Sequence, residues 1–138
     1  MKKTSNIYYL FFAYLFLNFL PQCSRDTGVV QDVSPAEAFK MTGEKTSNPA
    51  ITIIDVRTAE EFSSGHIAGA INIDFQSDEF EANIGKLDKN RSYLVYCHSG
   101  HRSSGAASMM KKMGFKSIKN LGGGIARWTD ENLPVVVN

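Results

Sequence analysis

Ala50-Ile51-Thr52-Ile53-Ile54-Asp55-Val56 is an almost unbroken β-branched run, preceded by the turn-forming residues Gly43, Ser47, Asn48 and Pro49. A strand with one wet face alternates apolar and polar residues. A continuous apolar run predicts a strand covered on both faces, and sheets covered on both faces are characteristically parallel. Tyr93-Leu94-Val95-Tyr96 is a second run of this kind. Outward from these two strands the pattern becomes helical. Ser34-Pro35-Ala36-Glu37 combines a capping serine, a proline at the first helical position and a glutamate placed to close a capping box, predicting a helix over 35–41. Residues 58–64 predict a short capped helix closed by Gly65. Residues 78–87 carry Phe80, Ile84 and Leu87 at helical spacing, and residues 103–113 predict a helix stopped by Gly114. Shorter strands are expected at 29–33, 70–73 and 116–121. Strand alternating with helix over this length implies an α/β sandwich.

The composition, 43% hydrophobic and 21% charged over 138 residues, is that of a globular domain and excludes a disordered or collagen-like chain. Ahead of the domain, Met1, Lys2 and Lys3 give a positive start to an apolar run at 7–20 whose only strongly polar residue is Asn18. That is the profile of an export signal, and it is shorter than the roughly 20 residues a membrane-spanning helix needs. The expected organisation is a signal peptide at 1–22, a linker at 23–31 with the first short strand at its end, and a domain at 32–138. Cys23 follows Pro21 and Gln22, with Leu20 three residues before it, and so resembles the lipid-attachment cysteine of a bacterial lipoprotein. Gln22 departs from the small residue that such a signal prefers. Two readings stand: lipidation of Cys23 with membrane attachment, or plain cleavage beside a free cysteine. Either places the mature chain outside the cytoplasm, as a periplasmic protein or a membrane-anchored lipoprotein; an uncleaved anchor is the third reading. The net charge of +1 and the lack of any basic block interleaved with aromatics give no sign of a nucleic-acid partner. A structural disulfide between Cys23 and Cys97 is the weaker reading of the two cysteines.

The residues with the most chemistry are Cys97-His98-Ser99-Gly100-His101-Arg102-Ser103, between the second apolar strand and the helix after it. Ligand crevices in open α/β sheets lie beyond the carboxyl ends of the strands, which also points to Asp55 and Arg57. At a helix start, unpaired N–H groups and a partial positive charge favour an anion. Gly100 permits a backbone that turns amides inward, and Arg102 adds a planar cation in a stretch with no acidic residue. These surroundings predict a Cys97 thiol that ionises below its usual pKa and acts as a nucleophile.

Ile54-Asp55-Val56-Arg57, Glu61-Phe62, Gly65-His66-Ile67, Gly69-Ala70-Ile71-Asn72 and the loop from Cys97 to Arg102 resemble the rhodanese homology domain. The resemblance continues through Gly114-Phe115, the glycines of Leu121-Gly122-Gly123-Gly124-Ile125, Trp128 and Leu133-Pro134, and so covers about residues 33–136. It implies a three-layer α/β/α sandwich with a five-stranded, mostly parallel sheet, and a loop whose amides cradle a persulfide sulfur on Cys97. It further implies a sulfurtransferase that moves a sulfane sulfur from a donor such as thiosulfate to a thiophilic acceptor, cyanide or a thiol. Cys97 is then catalytic, and His98, Ser99, Gly100, His101, Arg102 and Ser103 bind substrate. Four residues separate Cys97 from Arg102, as in the sulfurtransferase members; the phosphatases of this fold have five, and the shorter loop would crowd a tetrahedral phosphate or arsenate. His98 and His101 depart from many relatives and bear on donor and acceptor choice.

Asp55 and Arg57 are expected to support the loop, chiefly as a buried pair, and His66 to support it by hydrogen bonding. No ligand set of zinc-like spacing surrounds His66, which argues against a metal there, and the persulfide cycle that the resemblance implies needs no metal or organic cofactor. The triple glycine lacks the lysine and serine or threonine of a phosphate loop, and reads as a close-packed turn before the helix of Trp128. The rival functional readings are a non-catalytic binding or sulfur-sensing module of the same fold, and a thiol phosphatase or arsenate reductase. Oligomeric state is not legible.

Overall fold

The computed structural model describes residues 28–43 and 51–137. The export segment, Cys23, the first residue of the 50–56 run and most of the 42–49 connection lie outside the described residues. Among the described residues five strands, β1 (Val29–Val33), β2 (Ile51–Asp55), β3 (Ile71–Asn72), β4 (Ser92–Tyr96) and β5 (Ser117–Leu121), alternate with five helices. These are α1 (Pro35–Thr42), α2 (Ala59–Ser64), α3 (Phe80–Gly85), α4 (His101–Lys112) and α5 (Gly124–Asp130). The sheet has the order β1-β5-β4-β2-β3 and every pairing in it is parallel.

The two apolar runs became β2 and β4, which lie side by side in the sheet interior, as strands covered on both faces must. Alternation along β4 divides the core. Tyr93, Val95 and Cys97 face one cluster with Phe80 and Ile84 of α3 and Ala106 and Met110 of α4. Leu94 and Tyr96 face the other, with Ala38 of α1 and Ile125 and Trp128 of α5. The result is the three-layer α/β/α sandwich. The predicted capping box formed, Ser34 with Glu37 at the start of α1, and the cap expected for the helix at 58–64 is a second box, Thr58 with Glu61 at the start of α2.

The strand expected at 29–33 formed as β1 and pairs in parallel with β5 from Val29, so the sheet begins within the stretch 23–31 assigned to the linker. Other boundaries differ from the sequence reading. The strand expected at 70–73 contracts to two residues because only Ile71 and Asn72 pair with β2. The helix expected at 78–87 shrinks to α3, with turns on either side of it. Beyond α5 the chain returns over the sheet end: His66 and Val136 exchange N–H···O bonds of 2.9 Å in each direction, and the buried Trp128 donates its indole N–H to the Pro134 carbonyl at 3.0 Å.

Candidate active site

Cys97 follows the last residue of β4 and is 1% exposed. The chain leaves the strand there and turns at Gly100, whose φ of 101° lies in the region that favours glycine. That turn starts α4 at His101, two residues earlier than the sequence suggested. Arg102 and Ser103 therefore sit in the first helical turn, and the Ser103 N–H acts on the sulfur together with those of Ser99 and Gly100 just before the helix. Gly100 N–H donates to Cys97 Sγ at 3.0 Å. The Ser103 hydroxyl, fully buried, lies 3.5 Å from Sγ and 3.1 Å from the Gly100 carbonyl, so its single proton serves one acceptor or the other. Burial pushes the Cys97 pKa up. The Ser103 hydroxyl and the N–H groups of Ser103, Gly100 and Ser99 outweigh it, and the thiol ionises below its usual range.

The loop is tied from outside by elements distant in sequence. The carbonyls of Cys97 and His98 accept from Ile125 N–H at 2.9 Å and Ala126 N–H at 3.0 Å, amides of the first turn of α5. Gly124 makes this possible: a Cβ there would overlap both carbonyl oxygens, and its φ of 61° is itself left-handed. The triple glycine is thus a close-packed turn, as read, but what it packs against is the cysteine loop. With their carbonyls engaged on α5, the loop peptides present N–H groups to the sulfur. On the other side, Ser104 Oγ donates to the Gly100 carbonyl at 2.8 Å and accepts at 3.1 Å from Asn120 Nδ2, which also reaches Asp32 at 2.7 Å. Neither Gly124 nor Asn120 was singled out as a site residue, because their partners are apparent only once β5 lies beside β4.

Arg102 is not a free cation. Its Nη1 and Nη2 donate to Glu61 Oε2 and Oε1, both at 2.7 Å, in a bidentate pair across 41 residues. The stretch around Cys97 contains no acid, but the fold supplies one. The Arg102 pair and the Thr58 cap together pull the Glu61 carboxyl down to about 2 against its burial, so the pair is charged at any ordinary pH.

Asp55 and Arg57 form a second pair, Oδ2 to Nη2 at 2.7 Å, with Arg57 also donating to the Gly65 carbonyl at 2.6 Å. Both side chains are buried at the end of β2, beside Tyr96 and hence beside the root of the loop. Tyr96 accepts the Ile67 N–H at 3.0 Å, and burial together with the Asp55 carboxylate keeps its phenol protonated. His66 is also buried, stacked on Phe62 with Nδ1 3.0 Å from the Phe62 carbonyl. The partners of Asp55, Arg57 and His66 thus lie in the scaffold. His98, Ser99 and His101 are exposed at the mouth. Among the described residues no cluster of potential ligands could hold a metal ion, and Cys97 is a free thiol.

A parallel α/β sandwich with a cysteine held by inward amides at a strand-to-helix turn is an arrangement that favours the thiolate. Residues 32–131 match the model of the rhodanese-like domain, and the chain belongs to that family. It is 38% identical over 106 residues to the putative sulfur carrier protein YrkF of Bacillus subtilis, covering 77% of this chain but only 55% of that protein. It is 32% identical over 89 residues to the thiosulfate sulfurtransferase GlpE of Shewanella oneidensis, covering 64% of this chain and 86% of the relative. Among solved structures, a rhodanese-related protein from Thermoplasma volcanium superposes with a TM-score of 0.68 at 30% identity, over 78% of this chain and 99% of that one.

Proposed function

We propose that this protein is a sulfurtransferase that cycles between a Cys97 thiolate and a Cys97 persulfide. The observation that carries the reading is the 3.0 Å bond from Gly100 N–H to Cys97 Sγ in a loop whose carbonyls are tied away on α5. A thiolate so held is both a ready nucleophile and a stable leaving group. In the first half-reaction Cys97 attacks the outer sulfur of a donor such as thiosulfate and expels sulfite. In the second, cyanide or a thiol attacks the outer sulfur of the persulfide and Cys97 leaves as thiolate. Ser99, Gly100 and Ser103 stabilise the sulfur charge in both, an arrangement of preorganised donors. His98, His101 and Arg102 meet the donor at the mouth, while Asp55, Arg57 and His66 hold the scaffold. No metal or organic cofactor takes part. The rhodanese-named and sulfurtransferase-named relatives support transfer over a purely binding role, and the four-residue spacing from Cys97 to Arg102 supports it over phosphate chemistry.

The export profile and Cys23 place this activity outside the cytoplasm in our reading, in the periplasm or on a membrane through a lipidated Cys23. Mass spectrometry tests the chemistry: excess thiosulfate should add one sulfur, about 32 Da, to Cys97, since a covalent intermediate must exist. Cys97→Ser should abolish the adduct. An adduct that persists in that variant, or that maps to Cys23, overturns the assignment. Fatty-acid labelling of wild type but not of Cys23→Ala tests the attachment.

A further inference from the structure

Among the described residues, one buried side-chain polar atom has no hydrogen-bond partner: Oδ1 of Asn120, on β5, in a residue only 4% exposed. A buried amide oxygen left unpaired is costly, and a native fold that keeps one calls for a reason. Both protons of the same amide are spent elsewhere. Nδ2 donates one to Asp32 Oδ1 at 2.7 Å and the other to Ser104 Oγ at 3.1 Å. Asp32 stands directly opposite Asn120 where β1 pairs with β5. An ionised carboxylate only accepts, so it fixes which end of the amide faces it and keeps Oδ1 turned away. Ser104 Oγ, accepting from that amide, sends its own proton to the Gly100 carbonyl at 2.8 Å, and the Ser104 N–H reaches the same oxygen at 3.1 Å. A carbonyl oxygen has two lone pairs. Ser104 takes both, which leaves the Ser103 hydroxyl, 3.1 Å from that carbonyl, with Cys97 Sγ at 3.5 Å as its open acceptor.

We infer that Asn120, oriented by Asp32 and acting through Ser104, is a positioning residue that commits the Ser103 hydroxyl to the Cys97 sulfur. Neither Asn120 nor Asp32 touches the loop itself; they act from the edge of the sheet formed by β1 and β5, and Ser104 carries their effect to Gly100. The unpaired Oδ1 is what this orientation costs. An amide turned the other way would let Oδ1 take the Ser104 proton, but would set an oxygen against the Asp32 carboxylate and reopen a lone pair of Gly100 to Ser103. The inference concerns the thiolate on which the sulfur-transfer reading rests, and it holds for any electrophile that Cys97 attacks.

Alkylation of the full chain by iodoacetamide against pH, followed by the mass of the Cys97 peptide, tests this with no sulfur donor present. Asp32→Ala is the sharpest variant, and Asp32 is an exposed residue of an edge strand, so the fold should keep. Loss of a nearby negative charge would by itself favour the thiolate and lower the midpoint. The chain of hydrogen bonds requires the opposite sign: the freed amide can turn over and take the Ser104 proton, and the midpoint should rise by about half a unit to one unit. Ser104→Ala, also at an exposed position, should raise it by a similar amount, while Ser104→Thr keeps the hydroxyl and the wild-type profile. In a Ser103→Ala background Asp32→Ala should no longer raise the midpoint, since no hydroxyl is left to redirect. A midpoint that falls or stays in Asp32→Ala, an unmoved Ser104→Ala, a Ser104→Thr that shifts as alanine does, or an equal rise without Ser103 overturns the inference. The thiosulfate adduct on wild-type Cys97 is a separate measurement, so sulfur transfer can fail while this positioning stands, and the reverse.

Discussion

Asp55 with Arg57 and Glu61 with Arg102 are both arginine–carboxylate pairs with 2.7 Å contacts near the open end of the sheet, yet they differ in burial and in reach. The first joins residues two apart, and its side chains are 0% and 7% exposed. The second spans 41 residues and is a third to a quarter exposed, with Glu61 at 33% and Arg102 at 23%. Burial makes loss of either partner of the first pair costly, because the charge left behind has no water to fall back on. Partial exposure makes the second a modest contributor to stability, and its place is beside the cysteine loop, where it fixes the position of Arg102. The same chemistry seals the scaffold in one place and orients a loop residue in the other.

Removing Asp55 is the strongest test of that contrast. Asp55→Ala leaves the Arg57 guanidinium buried and unpaired, and chemical unfolding should show a loss of about 3 to 5 kcal/mol, or failure to fold. A loss under about 1 kcal/mol would mean that the pair is no more sealed than its exposed counterpart.

If Glu61 has taken the charge of Arg102, then Cys97 depends mostly on neutral donors for its low pKa. Ser103→Ala removes the buried hydroxyl, and a hydrogen bond to a charged group is worth about 1.5 to 3 kcal/mol. Alkylation of Cys97 against pH should shift upward by roughly one to two units, at 1.36 kcal/mol per unit. An unshifted profile would return the leading role to Arg102.

Glu61→Gln should cost little stability at neutral pH, about 1 kcal/mol or less, because the pair is solvent-screened. Its signature is the acid limb. The folded-state pKa of Glu61 is about 2 against an ordinary 4.5, so its contribution is complete above 4.5 and is lost as pH falls through 2. Urea unfolding of wild type and variant should therefore converge between pH 4.5 and 2, and parallel curves throughout would deny that the carboxylate is held down. At the bottom of the scale, Arg127 and Glu131 meet at 3.2 Å on the exposed face of α5. Glu131→Ala should change stability by about 0.5 kcal/mol or less in thermal melts, the value of a surface i,i+4 pair.

Local chemistry determined much of this protein. The uninterrupted apolar runs of β2 and β4 require cover on both faces, and so a parallel sheet between helix layers. Capping at Ser34 and Thr58 depends on residues three apart, and it was legible for that reason. Cys97, Gly100 and Ser103 lie within one turn of chain, and strand, glycine and helix start in succession pointed to a sulfur among amides. What the sequence left undecided lies in contacts between segments far apart along the chain. The early start of α4 follows from the conformation Gly100 adopts once the loop is anchored on α5. The neutralisation of Arg102 by Glu61, the seat of Gly124 against the Cys97 and His98 carbonyls, and the Asn120 tether to Ser104 join residues 16 to 41 positions apart. No periodicity or cap encodes such pairs, because they exist only after parallel pairing brings the carboxyl ends of β2, β4 and β5 to one edge, and that edge is where the charge of the site is settled.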